Sequence, residues 1–262
     1  LTGVNVAPAL AGLVESGLAD EFLPELPALA VEQDPIHRHK DVLAHTIAVV
    51  AKSDGLRDEP RLTVRLAALF HDVGKPATRE FGPGGVTFHH HEVVGARMTR
   101  KRMKELRYPK DVTEDVANLV FLHMRPHTYK MGWTDSAVRR YVRDAGPLLD
   151  ELNELVRSDV TTRNERRARQ IARRIDELEE RITELRAKEE LDALRPPIDG
   201  NQVMAHLGLE PSRTVGEIMH MLLERRIEDG PYSEEAAYEM LDEWQAAQSA
   251  EIPDPGSRIP DS

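Results

Sequence analysis

Four apolar helical stripes in this sequence each carry one metal-competent side chain, and that pattern limits the folds open to the chain. In "DVLAHTIAVV", Val42, His45 and Val49 share a face at i, i+3 and i+7. In "VRLAALFHD", Val64, Ala67, Ala68 and His71 do the same. Val116, Leu119, Val120 and His123 form a third stripe, and Leu152 and Leu155 lead to Asp159 in a fourth. Such faces point to the core. One inward histidine is ordinary, but an inward carboxylate without a partner is costly. A helical assembly in which the four faces converge on a cation relieves all of them together. "HDVGKP" also puts Asp72 directly after His71. Gly74 and Pro76 stop the helix there, and its last carbonyls carry partial negative charge that favours a cation.

The 262 residues include no cysteine, so disulfides and thiolate ligands are excluded. Two imidazoles and two carboxylates make a mixed N/O donor set. It suits one or two divalent ions: Mn, Mg, Fe, Co, Ni or Zn. "FHHHEVVGAR" adds three histidines at a loop-to-helix junction. His91 falls near a helix N-terminus and serves either a second metal or a substrate phosphate. His89 and His90 read as loop residues, although one of them is within reach of the site. His37, His39, His206 and His220 read as structural or surface residues.

Aromatics are 5% of the chain and few segments alternate with period two, so the fold class is all-α. Helices are expected near 8–19, 40–53, 60–71, 91–106, 111–124, 134–144 and 147–160, with a small hairpin in "FGPGGVTF". Ile171, Ile175, Leu178, Ile182 and Leu185 form a short heptad seam on a charged helical arm expected to pack on its own chain. "RPPIDG" then breaks the chain before a small helical module. The implied domains are an N-terminal helical segment (1–35), a metal-site domain (36–165), the arm (166–195), the module (196–248) and a disordered tail (249–262). No apolar run approaches a membrane span and no signal peptide is visible, so the expected location is cytoplasmic, with no membrane partner. Leu1 in place of Met suggests a piece of a longer protein. Nothing in the pattern sets the oligomeric state.

Net charge is −11 but unevenly spread. Residues 97–143 hold 12 Lys/Arg against 5 Asp/Glu, while 189–262 hold 5 against 17. Arg97, Arg100, Lys101, Arg102, Lys104 and Arg107, with Arg139 and Arg140, are candidate contacts to nucleic-acid phosphates. Two solvated helix faces of opposite sign are the plainer explanation.

The order His45, His71-Asp72, His91, His123, Asp159 resembles the HD superfamily of metal-dependent phosphohydrolases. The resemblance implies an HD-domain helical bundle. It makes His45, His71, Asp72 and Asp159 the primary metal ligands, with His91 and His123 as a second set. "HRHKDVLAHTIAVV", "FHHHEVVGARMTRKRMKELRYPKDV", "WTDSAVRRYVRDAG", "RSDVTTRNERR" and "IDGNQVMAHLGLEPSRTVGEIMHMLLE" are similar to the C-terminal part of actinobacterial-type CCA-adding tRNA nucleotidyltransferases. That family adds nucleotides with a D-x-D head, which this sequence lacks, so nucleotide addition is not expected of the chain alone.

The expected chemistry is phosphoester hydrolysis, of 2',3'-cyclic phosphate or phosphomonoester type, within a tRNA-processing protein. His71, Asp72 and Lys75 are its catalytic candidates, and Lys75, Arg125 and Arg163 the phosphate contacts. Two other readings stand beside it: a non-catalytic module that binds the tRNA body, and a free-standing nucleotide phosphohydrolase.

Overall fold

The computed structural model describes residues 1–3, 5–31, 41–53, 61–82, 85–126, 133–162, 164–189, 191 and 194–251. His37, His39, Arg163 and residues 252–262 of the expected 249–262 tail lie outside the described residues; 249–251, expected in that tail, instead end the last helix. The described residues are overwhelmingly helical. In chain order they form α1 (Val6–Glu15), α2 (Leu18–Phe22), α3 (Val42–Lys52), α4 (Leu62–Phe70), α5 (His91–Glu105), α6 (Lys110–Leu122), α7 (Asp135–Ala145) and α8 (Leu149–Asp159). The long α9 (Glu165–Lys188) follows, then α10 (Gly200–Leu207), α11 (Arg213–Asp229) and α12 (Glu234–Glu251). The expected hairpin is present as β1 (Glu80–Gly82) and β2 (Gly85–Thr87), antiparallel with Phe81 opposite Val86. No helix among the described residues is long and apolar enough to cross a membrane.

The chain divides into two compact units, Leu1–Gly132 with Asp144–Arg181, and Trp133–Arg143 with Ile182–Ser262. In the first, α4 is the hub. Its "VRLAALF" is buried all round, and it packs against α3, α5, α6 and α8. Full burial of Val64, Leu66, Leu69 and Phe70 contributes on the order of 1.5–3 kcal/mol each. Arg65 is buried within the same helix, its guanidinium donating to the carbonyls of Leu1 and Gly3.

The end of α4 differs from expectation. Gly74 is not among the glycines with positive φ. Its role is close approach. A Cβ there would lie 2.1 Å from the His91 carbonyl oxygen and 2.8 Å from the Gly95 nitrogen. Gly95 in turn sits with Val120 Cγ1 3.3 Å from where its own Cβ would be. The two glycines let the turn after α4 touch the first turns of α5.

The second unit has its own core of Ile198, Val203, Leu207, Val215, Ile218, Leu222, Ala237 and Leu241. Asp199 and Gln202 form a reciprocal capping box at the start of α10, and Gly208 ends it in left-handed backbone. Residues 133–143, expected inside the metal-site domain, group with this unit, and the physical reason is electrostatic. Buried Arg139 donates to both Glu189 oxygens, at 2.7 and 3.0 Å, and to the Ile227 carbonyl. Arg226 donates to Glu189 as well, at 2.9 Å. Arg140 pairs with Glu224 and Glu228, and Arg143 with Glu224. Of the heptad seam on α9, Ile175 and Leu178 in the first unit and Ile182 and Leu185 in the second are buried, and Ile171 is part-exposed.

Gly74→Ala forces its methyl into backbone atoms that cannot rotate away, so a loss of about 3 kcal/mol or more is expected in urea unfolding. Glu189 gives a pH test. Burial alone would raise its carboxyl, but hydrogen bonds from Arg139 and Arg226 outweigh that and hold it below the ordinary value. A depressed folded-state pKa means the stabilisation is present above the unfolded carboxylate pKa and lost as pH falls through the folded one. The wild-type melting midpoint should therefore fall more steeply than that of Glu189→Gln as the pH drops below about 4.3.

Candidate metal centre

Six side chains from five helices meet in the first unit, and most come from helix termini. His71 caps the C-terminus of α4 and His123 that of α6. Asp159 is the last residue of α8, and His91 is the first of α5. His45 lies within α3, one turn after the Asp41 cap. Helix ends leave carbonyls without intrahelical partners, and these histidines use them. His71 Nδ1–H donates to the Ala68 carbonyl at 2.7 Å, and His123 Nδ1–H to Val120 at 2.6 Å. His91 Nδ1–H donates to Phe88 at 2.8 Å. In each ring a carbonyl holds a proton on Nδ1, so Nε2 is the atom turned towards the site.

The Nε2 atoms and the carboxylates converge. His45 Nε2 is 3.4 Å from His71 Nε2, and Asp159 Oδ1 is 2.9 Å from the first and 3.6 Å from the second. Asp72 Oδ2 lies 3.2 Å from His71 Nε2 and 3.8 Å from His45 Nε2. On the other side, Asp72 Oδ1 is 3.5 Å from His91 Nε2, which is 3.3 Å from His123 Nε2. Two donor groups result, His45–His71–Asp72 and Asp72–His91–His123, sharing one carboxylate. Such N/O donors, all buried but His45, fit a divalent ion.

The electrostatics agree. Burial would raise the Asp72 carboxyl, but His71, Lys75 and His123 hold it well below the usual range. Burial would lower His71, but Asp72 and Asp159 outweigh it and raise it to about 8. Burial and the neighbouring His71 push His123 down to about 3, and burial lowers His91. His91 and His123 are therefore neutral at physiological pH. His71 gains positive charge where the two carboxylates attract it.

The centre opens on a cavity of about 680 Å³, lined among others by Lys75, Phe88, His89, Met124, Thr161, Thr162 and Arg167. Lys75 Nζ is 2.7 Å from Asp72 Oδ2. Arg125, expected at the phosphate, instead pairs with Asp144 at 2.8 Å and is not among the lining residues. Arg167 and Thr161 went unnoticed in the sequence; their one signal was nearness to Asp159 in "SDVTTRNERR".

The basic candidates separate. Arg97, Lys101, Lys104 and Arg107 are exposed, the first three at i, i+4 and i+7 on α5. Arg100 is held by Glu114 and Asn118, and Arg102 by Glu25 and Glu105. Arg139 and Arg140, expected at the same RNA face, are instead taken up by Glu189, Glu224 and Glu228 within the second unit.

A family model described as the HD domain matches residues 42–181, and the chain belongs to that family. Its likeness to named proteins extends further along the sequence. It is 37% identical over 240 residues to the CC-adding tRNA nucleotidyltransferase of Thermus thermophilus, covering 90% of this chain and 52% of that protein. It is 34% identical over 231 residues to the A-adding tRNA nucleotidyltransferase of Deinococcus radiodurans, covering 86% and 52%. A multifunctional CCA protein of Legionella pneumophila matches at 32% over 109 residues. The chain spans about half the length of the two longer matches.

Arg139→Ala leaves part-buried Glu189 with Arg226 as its partner. It should cost about 1–3 kcal/mol in chemical denaturation, while Arg97→Ala should change stability by less than about 0.5 kcal/mol.

Proposed function

We propose that this chain is the HD-domain portion of a CCA-type tRNA nucleotidyltransferase-like protein, and that its centre is a metal-dependent phosphohydrolase acting on tRNA-related phosphoesters in the cytoplasm. The observation that carries the hydrolase reading is buried Asp72 between two histidine pairs, with an open cavity beside it. The likeness to CC-adding and A-adding enzymes supports tRNA as the partner.

A bound divalent ion supplies an acidified water and polarises a phosphoryl oxygen. The chain's own groups do the rest. His45, His71, Asp72 and Asp159 would hold one ion; His91 and His123, with Asp72, would hold a second. Lys75 and Arg167 line the cavity and bind the non-bridging phosphate oxygens, Arg167 taking the place expected of Arg125. Phe88 and Met124 supply apolar wall for the rest of the substrate. Hydrolysis of 2',3'-cyclic phosphates or phosphomonoesters fits this arrangement.

A second, compatible role rests on Arg97, Lys101 and Lys104. They present one exposed cationic stripe suited to the phosphate backbone of tRNA.

Purified protein should hydrolyse 2',3'-cyclic AMP or p-nitrophenyl phosphate with added Mn(II), and Asp72→Ala should lose at least about a hundredfold. Failure of the wild type on both substrates with every divalent ion tried would reject the hydrolase reading. For the second role, replacing Arg97, Lys101 and Lys104 with alanine should weaken tRNA binding and reduce the log–log salt slope by about three. An unchanged slope would remove that face from the interface.

A further inference from the structure

We infer that Thr161 is a positioning residue for the metal centre, holding the ring of His45 and tying it to Asp159. This rests on the proposal that the centre binds a divalent ion. Each imidazole that offers Nε2 to a cation needs an acceptor for its Nδ1 proton. His71, His91 and His123 each find one three residues back on their own chain, in the carbonyls of Ala68, Phe88 and Val120. His45 sits inside α3, where the carbonyl one turn back, that of Asp41, already accepts from the His45 backbone nitrogen. Its Nδ1 is instead 2.8 Å from Thr161 Oγ1. Of the four rings, this is the one held by a side chain from another segment.

That segment is the one that delivers Asp159. Thr161 follows it by two residues, just beyond the end of α8. Lys52, two helical turns after His45 on α3, grips the same place, donating to the carbonyls of Arg157 at 2.8 Å and Val160 at 2.6 Å. α3 thus holds the end of α8 at two points, through His45 and through Lys52, next to the Asp159 whose carboxylate faces His45 Nε2 at 2.9 Å. If the Thr161 hydroxyl is lost, His45 Nδ1 loses its partner beyond the end of α8, and the ring can turn its Nε2 away from the site. One contact across the chain therefore keeps two ligands in register.

Thr161→Val keeps the shape and deletes the acceptor, whereas Thr161→Ser keeps the acceptor. Calorimetric titration with Mn(II) should show a Kd at least about tenfold weaker for Thr161→Val and within about threefold of wild type for Thr161→Ser. Metal-free melting curves of all three should coincide within a few degrees. Equal Mn(II) affinity of Thr161→Val and wild type would overturn the inference, as would equal weakening by valine and serine. If the wild type itself binds no Mn(II), the metal reading fails, and this inference fails with it.

Discussion

The buried carboxylate of Asp72 is the constraint on which the rest of the site depends. It lies at the hub of the first unit, nearly inaccessible to solvent, where an isolated charge would destabilise the fold. The protein surrounds it with groups that accept negative charge. His71 and Lys75 lie against one oxygen, and His91 faces the other. These groups offset the desolvation of the carboxylate, and all but Lys75 are donors of the kind a divalent ion binds. In the proposed metal centre, stability and cation affinity would draw on the same residues.

Helix termini make this arrangement possible. A ligand at the end of a helix uses the free carbonyls of that helix to fix its own ring, as His71 and His123 do, and no further element is required. The cost is geometric, because several helix ends must approach one point. Gly74 and Gly95 permit that approach by omitting side chains where the turn after α4 meets α5. His45 enters from within a helix and so depends on its neighbour at the end of α8.

Much of this was legible in the sequence for a simple reason. The 3.6-residue period says which face is buried, and a His or Asp on that face is visible by position alone; His45, His71, His123 and Asp159 were found that way. The hairpin, the arm and the small C-terminal module followed from turn residues and spacing. What stayed hidden depends on distant partners. Arg139 and Arg140 read as a basic patch because their acceptors, Glu189, Glu224 and Glu228, lie about 50 to 90 residues away. Arg125 was assigned to phosphate, and Asp144, on α7, holds it instead. Gly74 looked like a helix stop, since a close backbone approach leaves no trace in a one-dimensional pattern. Thr161 carries no periodic signal at all.

The central claim is that side chains from five helices and a shared carboxylate form a divalent-ion site. A crystal structure of the protein grown with Mn(II), with anomalous difference density, tests it most directly. A peak is expected among His45, His71, Asp72 and Asp159, with a second, where two ions bind, between Asp72, His91 and His123. An anomalous map with no peak at these residues, or with Mn(II) only at surface carboxylates, would contradict it.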